Sequence, residues 1–402
     1  VSTYGSLLKT PGVARIIAAQ LTARFPSGML SLAYLLHVEH IFNSYGAAGL
    51  VLAATSVGQA IAGPLTSRWM GAWGMRPVLM LTTGVAAASM ATVAFAPLPL
   101  WGFMVVGFIG GLSQPPVQPA VRTIYPKMVN SRQLTPLFSL DASAQEIIWI
   151  AAPVLVTFVS VQISTQLGIL IGIVFLVGGG AWFISSPELG RVRIPRSKRK
   201  LGVVLTRPPV LLATIVGFLL VGSCAAVETG VVATFGEGGP QAGIVLAVWA
   251  VSSLVGGLTL GHLPISPWAL ARRMVVVLIG ATLTIFAWDI WSLSIALVIA
   301  GLCIAPALAV MFATVSSSVR FSDTAEAYGW VGTGQLIGAA VGSAVAGFLI
   351  DSNGAVGGFW IAAAFALVGF LVPLVFARAL PDLRGKDANP LPDTAPVPIQ
   401  PS

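Results

Sequence analysis

The chain has 402 residues, 56% of them hydrophobic and 8% charged, with a mean hydropathy of +0.92. A soluble protein carries about 25% charged residues, so a soluble globular enzyme is excluded. The net charge of +8 and pI of about 10.0 do not mark a nucleic-acid binder either. The basic residues sit in short loops between apolar stretches, as the positive-inside rule requires, and would at most meet anionic lipid headgroups.

A helix needs about 20 apolar residues to cross a bilayer. Twelve such stretches can be marked, at 15–38, 47–66, 77–96, 98–119, 136–159, 166–185, 208–235, 241–261, 274–288, 291–315, 327–350 and 358–377. The expected fold is therefore an all-α integral membrane protein with 12 transmembrane helices. The first run is span-length and lacks a small-residue cleavage site, so no cleavable signal peptide is expected. Alternate loops hold the positive charge: Arg68 and Arg76, then Arg122, Lys127 and Arg132, then Arg272 and Arg273, then Arg320. The intervening loops carry Glu39, Glu237, Asp289 and Asp351 and no Lys or Arg. This pattern places both termini in the cytoplasm. It also leaves Arg24 as the one basic residue of 21 inside a span. A charge at the bilayer centre costs roughly 2.5–3.5 kcal/mol on insertion scales, so Arg24 needs a partner or a wet cavity.

A basic loop, 188–207, holds Arg191, Arg193, Arg196, Lys198, Arg199, Lys200 and Arg207 and divides six spans from six. The expected organisation is a six-helix bundle at 1–187, this solvated cytoplasmic linker, a second bundle at 208–380, and a Pro- and Asp-rich disordered tail at 381–402. The halves share a faint repeat. Gly111-Leu112, Pro116 and Gln145 match Gly301-Leu302, Pro306 and Gln335, each 190 residues on; Gly63-x-Leu65-Thr66 matches Gly256-x-Leu258-Thr259, 193 on. Such duplication is common in secondary transporters.

Spans three, six, nine and twelve have no ionisable residue in their interiors and read as lipid-facing. The interior ionisable groups are Arg24 in the first span, Asp141 and Glu146 in the fifth and Glu228 in the seventh. Arg24 and Glu146 lie about 13 and 15 Å from the basic ends of their spans, which suggests that they pair. A carboxylate balanced between burial and a neighbouring cation can take up and release a proton; the same pair could equally be a fixed structural bridge. Glu146 is the first candidate for the proton carrier and Asp141 the second. Glu228 lies toward the outer side, and Glu326 reads as a helix-dipole partner. Trp149, Trp249 and Trp330, with Glu228 and Gln335, are candidates to line a substrate cavity, whereas the other Trp residues sit at span ends as an interfacial belt. Small residues every fourth position (Ala54, Gly58 and Ala62; Gly334, Gly338, Gly342 and Ala346) predict close helix crossings. Pro115, Pro116, Pro119, Pro153 and Pro306 predict broken or bent spans. His37 and His40 share a helix face but read as interfacial residues. Cys224 and Cys303 make neither a disulfide framework nor a metal site. No Ser, His or Cys constellation or phosphate-binding loop suggests an enzyme, and no cofactor is expected.

Twelve spans, a basic central loop and a six-plus-six repeat together resemble the major facilitator superfamily. The loop after the second span carries a local signature: Gly63-Pro64-Leu65-Thr66-Ser67-Arg68, then Trp73-Gly74-Met75-Arg76-Pro77. The resemblance implies two six-helix bundles rocking around a central cavity, with Gly63, Arg68, Gly74 and Arg76 in the gating loop. The motif's acid is replaced by Gly71 or Ser67, so its latch must be weaker or made otherwise. The usual helix-four Arg is absent near Met104, and the antiporter motif is reduced to Ala152-Pro153. The chain looks like the bacterial efflux-permease branch. That implies proton-coupled export of a small amphipathic molecule across the bacterial cytoplasmic membrane by a monomer. The alternatives are an uptake symporter of the same fold, or a sensor or assembly partner that does not transport.

Overall fold

The computed structural model describes residues 2–197, 199–235 and 240–393; Lys198, Glu237 and the end of the tail lie outside the described residues. A short helix, α1 (Ser2–Lys9), precedes α2 (Val13–Phe42), α3 (Tyr45–Trp73), α4 (Met75–Phe95), the paired α5 (Leu100–Leu112) and α6 (Val117–Met128), α7 (Ser131–Gln162) and α8 (Thr165–Ser185). After the short α9 (Pro187–Arg191) come α10 (Pro208–Phe235), α11 (Pro240–Leu260), α12 (Ala269–Leu283), the paired α13 (Ile290–Gly301) and α14 (Ile304–Ser318), α15 (Thr324–Asn353) and α16 (Val356–Val375). Among the described residues, eleven helical segments are long and apolar enough to cross a membrane. The remaining one, α2, has 30 residues, about 45 Å of helix. Its Arg15, Gln20, Arg24, His37, Glu39 and His40 lower its hydropathy without shortening it.

The fourth and tenth spans break where the repeat predicts. Pro116 precedes α6, and Pro306 sits in the first turn of α14; proline lacks the N–H that would continue the preceding helix. The fifth span does not break, since α7 continues through Pro136 and Pro153. The repeat also recurs in packing. A Cβ on Gly111 would lie 2.0 Å from the Thr55 carbonyl, and one on Gly301 would lie 2.7 Å from that of Trp249. The second and fourth spans thus cross as the eighth and tenth do. The α15 glycines form the predicted seam against α10: a Cβ on Gly334, Gly338 or Gly342 would fall 2.7, 2.1 or 2.2 Å from the carbonyl of Thr214, Phe218 or Gly222. Only a residue without Cβ lets two backbones approach so closely. Helices α4, α8, α12 and α16 expose large apolar side chains, among them Met80, Val174, Ile279 and Val375, as lipid-facing helices would.

Two expectations at the basic end change. The tail is not disordered as far as Asp393. Its backbone pairs with the α14–α15 turn (Leu391 N–H to Val319 carbonyl, 2.9 Å; Phe321 N–H to Leu391 carbonyl, 3.1 Å) and with Ile265, and Leu380 and Ala388 are buried. Asn389 then donates to Ser131 Oγ at the start of α7 (3.1 Å), so the strap joins the last spans to the first six. The linker is also laced down. Ser197 donates to Asp323 (2.6 Å), and the Gly202 N–H donates to Glu326 (2.7 Å).

Candidate functional site

On α7, Asp141 and Gln145 are one turn apart and face α2 and α6. Glu146 lies one residue further, about 100° around the helix, and faces α11. That angle overturns the expected Arg24–Glu146 pair. Arg24 instead bonds to Gln20 (2.8 Å), to Gln145 and, at 3.6 Å, to Asp141. Asp141 is fully buried and accepts from Arg122 Nε (2.9 Å), Gln20 Nε2 (3.0 Å) and the Tyr125 hydroxyl (3.1 Å). Arg122 also overturns an expectation. It is not a cytoplasmic loop residue: α6 extends the fourth span to Met128, and Arg122 is 2% exposed. The fourth span therefore does carry an internal arginine, well below Met104. Its sequence signal was a basic residue only three positions past Pro119, where a proline-broken helix resumes.

The Arg122 guanidinium lies 3.4 Å from the centroid of the Phe312 ring on α14, a cation–π contact from the first six spans to the last six. Phe312 belongs to a buried aromatic group with Tyr125, Phe138 and Tyr328, whose ring centroids lie 6.0–6.5 Å from their neighbours. Ser139 donates to the Gly257 carbonyl (2.6 Å) and closes α7 on α11.

Glu146 accepts from Ser253 Oγ of α11 at 2.9 Å and makes no ion pair among the described residues. Glu228 lies on α10, one turn after Cys224, and is exposed. The structure thus brings together Arg24 with Asp141 and Glu146 with Ser253. It does not bring Arg24 to Glu146. Trp149 is half exposed, while Trp249 is buried with its Nε1 unpartnered among the described residues. Trp330 stands at the linker, where a Cβ on Gly202 would lie 3.9 Å from its ring. Gln335 faces Gly217 of α10 and its Nε2 has no partner among the described residues. His37 bonds to Thr165 Oγ1 (2.9 Å) and the Val93 carbonyl (3.0 Å), a buried clasp between α2, α8 and α4.

The loop motif has its contacts at the basic end. Arg68 bonds to Glu326 in the first turn of α15 (3.0 Å) and to the Arg199 carbonyl. The bridge therefore keeps an acid and a base but draws the acid from α15, which sequence reading had assigned to the helix dipole. A Cβ on Gly63 would lie 2.6 Å from Thr333 Oγ1, so α3 and α15 cross closely there. Gly74, at φ 93°, makes the turn from α3 to α4. Arg76 donates to the Ser186 carbonyl (3.2 Å), which ties this turn to the end of α8.

The sequence pattern of the Major Facilitator Superfamily matches residues 16–288 and 229–401. A search among curated proteins finds no relative by sequence. Solved structures share the fold. The human organic anion transporter MFSD10 (TETRAN) is 16% identical, with a TM-score of 0.70 over 90% of this chain and 98% of that one. A bacterial homologue of the iron transporter ferroportin, in an outward-facing state, is 12% identical, with a TM-score of 0.74 over 91% and 99%. The E. coli fucose:proton symporter FucP is 16% identical, with a TM-score of 0.71 over 91% and 97%. The broken fourth and tenth spans, the glycine seams and the bridge from the α3 loop to α15 are thus those of a multi-pass membrane transporter rather than an enzyme, and the chain belongs to the Major Facilitator Superfamily.

Proposed function

We propose that this protein is a proton-coupled exporter of small amphipathic, weakly charged or cationic molecules, working by alternating access in a bacterial cytoplasmic membrane with its basic end in the cytoplasm. Residues 1–187 and 208–380 rock as two bundles, with 188–207 as their tether. The observation that carries the reading is the Glu146–Ser253 contact. It joins the two bundles inside the membrane through a carboxyl group and a neutral hydroxyl. A hydroxyl donates to a carboxylate and accepts from a carboxylic acid, so the contact survives in either protonation state while its direction reverses. Asp141 is held by two guanidinium groups of the first six spans and serves as scaffold. Glu228 supplies a second carboxyl group on a membrane-spanning helix, and neither it nor Glu146 makes an ion pair among the described residues, which suits a cationic or polar substrate competing with a proton. Among the similar folds, FucP is a fucose:proton symporter and MFSD10 an organic anion transporter, so the fold is compatible with proton coupling and with organic substrates.

The test is uptake of a cationic dye into inverted vesicles from an overexpressing strain under an imposed pH gradient. Accumulation that collapses with a protonophore and in Glu146→Gln supports proton-driven export through Glu146. Accumulation that is unchanged in Glu146→Gln removes this residue from the mechanism. No gradient-driven accumulation in inverted vesicles, with accumulation in right-side-out ones, reverses the direction to uptake.

A further inference from the structure

A cavity of about 740 Å³ opens at the basic end, away from the Glu146–Ser253 contact. Its walls include Ser266, Trp268, Arg272 and Arg273 from the α11–α12 turn and the start of α12, Cys303 from the α13–α14 break, and Arg384 from the tail strap. Three guanidinium groups from two parts of the chain line it, and among the described residues no carboxylate does. Arg272 donates to Ser266 Oγ (2.8 Å). Arg384 is held by Asp382 through its Nε and Nη2, which fixes the strap there; those bonds keep the exposed Asp382 carboxyl down at about 2. Arg273 differs from both. It is only 8% exposed, donates once, to the Ala269 carbonyl (3.0 Å), has no ion pair among the described residues, and leaves its Nε unsatisfied.

A buried guanidinium without a counter-ion is costly, and an unsatisfied buried N–H adds to that cost. Both costs fall if an oxyanion enters the cavity. Arg272 and Arg273 are the fourth and fifth residues of α12, close to the N-terminal end where the helix's free N–H groups already favour negative charge. Guanidinium forks match tetrahedral oxyanions by paired N–H donation. The volume lies within the range of about 300–1,000 Å³ usual for small-ligand sites. We propose that this cavity binds a phosphate group, with Arg273 as its buried anchor and Arg272 and Arg384 at its rim. The phosphate belongs either to the headgroup of an anionic phospholipid or to a free phosphorylated molecule.

The experiment uses the full chain, purified and delipidated in detergent. Three probes are titrated: dioctanoyl phosphatidylglycerol, inorganic phosphate, and dioctanoylglycerol as the phosphate-free control. Binding is read by native mass spectrometry for the lipids and calorimetry for phosphate. The expected result is one saturable site for a phosphate-bearing probe and none for dioctanoylglycerol, weakened at least tenfold in Arg273→Gln and unchanged in Arg320→Gln. Saturation by the lipid alone assigns a headgroup; competition by inorganic phosphate assigns a free phosphate. Should Arg273→Gln fail to fold, Arg272→Gln combined with Arg384→Gln decides, with an expected loss of at least fivefold. Saturable binding of neither phosphate probe, or binding unchanged in these variants, overturns the proposal.

Discussion

Replacing Asp141 by Asn changes one buried charge and almost no volume. Asp141 is fully buried beneath four donors, two of them guanidinium groups at 2.9 and 3.6 Å. The amide oxygen of Asn can still accept from Gln20 and Tyr125, but its NH₂ then faces the Arg122 Nε–H, donor against donor. The local charge rises from one positive in excess to two. Removing one partner of a buried ion pair costs about 3–5 kcal/mol, so Asp141→Asn is expected to lower stability by that amount. The assay is reversible unfolding of the purified protein in mixed micelles by denaturing detergent, followed by circular dichroism. The double variant Asp141→Asn, Arg122→Gln returns the local charge to its original value and is expected to recover at least half of the loss, a coupling of about 2 kcal/mol, within the range found for residues in contact. An Asp141→Asn protein within about 1 kcal/mol of wild type, or a double variant whose losses simply add, would refute the view that Asp141 is the counter-ion of both arginines.

Glu326 is buried and Arg68 only a quarter exposed, so removing Arg68 leaves a buried carboxylate without its cation and should cost about 3 kcal/mol; Arg68→Glu should also widen spin-label distances across the basic end, and Arg68→Glu with Glu326→Arg should restore most of the wild-type distribution. Gly338→Ala places a methyl about where the Phe218 carbonyl now sits; overpacking of this kind costs about 1–3 kcal/mol, and Gly332→Ala, with open space at its Cβ, is expected to leave the unfolding midpoint unchanged. Asp289 caps α13 by accepting from the Ser292 N–H (2.8 Å), and its bonds to Ser292 hold its carboxyl below the usual carboxylate range. The cap is therefore fully present above the ordinary value of about 3.9 and is lost as pH falls through the lower folded value, so hydrogen exchange at Ser292, corrected for intrinsic rate, should be equal at pH 8 and pH 5 and rise only in stronger acid.

The span pattern was legible because hydropathy and loop charge act on whole segments, where one misplaced residue changes little. The glycine row of α15 was legible for the same kind of reason: a period of four marks one helix face whatever that face meets. Side-chain pairing was not. Arg24 and Glu146 lie at similar depth, and depth is all that a span assignment supplies; one residue, or about 100° of helix, separates Gln145 facing Arg24 from Glu146 facing Ser253. Arg122 was hidden by a boundary. A span ending at Pro119 left Arg122 in the following loop, whereas the helix continues as α6 to Met128 and carries a basic residue into the protein. Glu326 was hidden by its partner's distance, because Arg68 is 258 positions away. The tail to Asp393 was hidden by composition: its Pro and Asp residues resist forming an element of their own, but its backbone could still pair with a loop that was already in place.

The charges inside the membrane divide into two kinds, and the division follows from which helices hold them. Arg24, Gln20, Arg122, Tyr125, Asp141 and Gln145 all belong to the first six spans, on α2, α6 and α7, so their mutual bonds need not change when those spans move as a unit. Among the described residues only Arg122 reaches beyond them, and it does so by a ring face at Phe312, a contact with little directional demand that can part and re-form. Glu146 is the reverse case. Its one hydrogen bond among the described residues crosses to α11, so any motion between the two sets of spans must stretch or break it. A carboxyl group that loses a hydroxyl partner in one state and keeps it in another has a different proton affinity in each, and linkage then requires protonation to bias the motion in return. Charge paired inside one set of spans keeps that set intact, and under the proposed function the carboxyl–hydroxyl contact between the sets is what makes their separation sensitive to a proton.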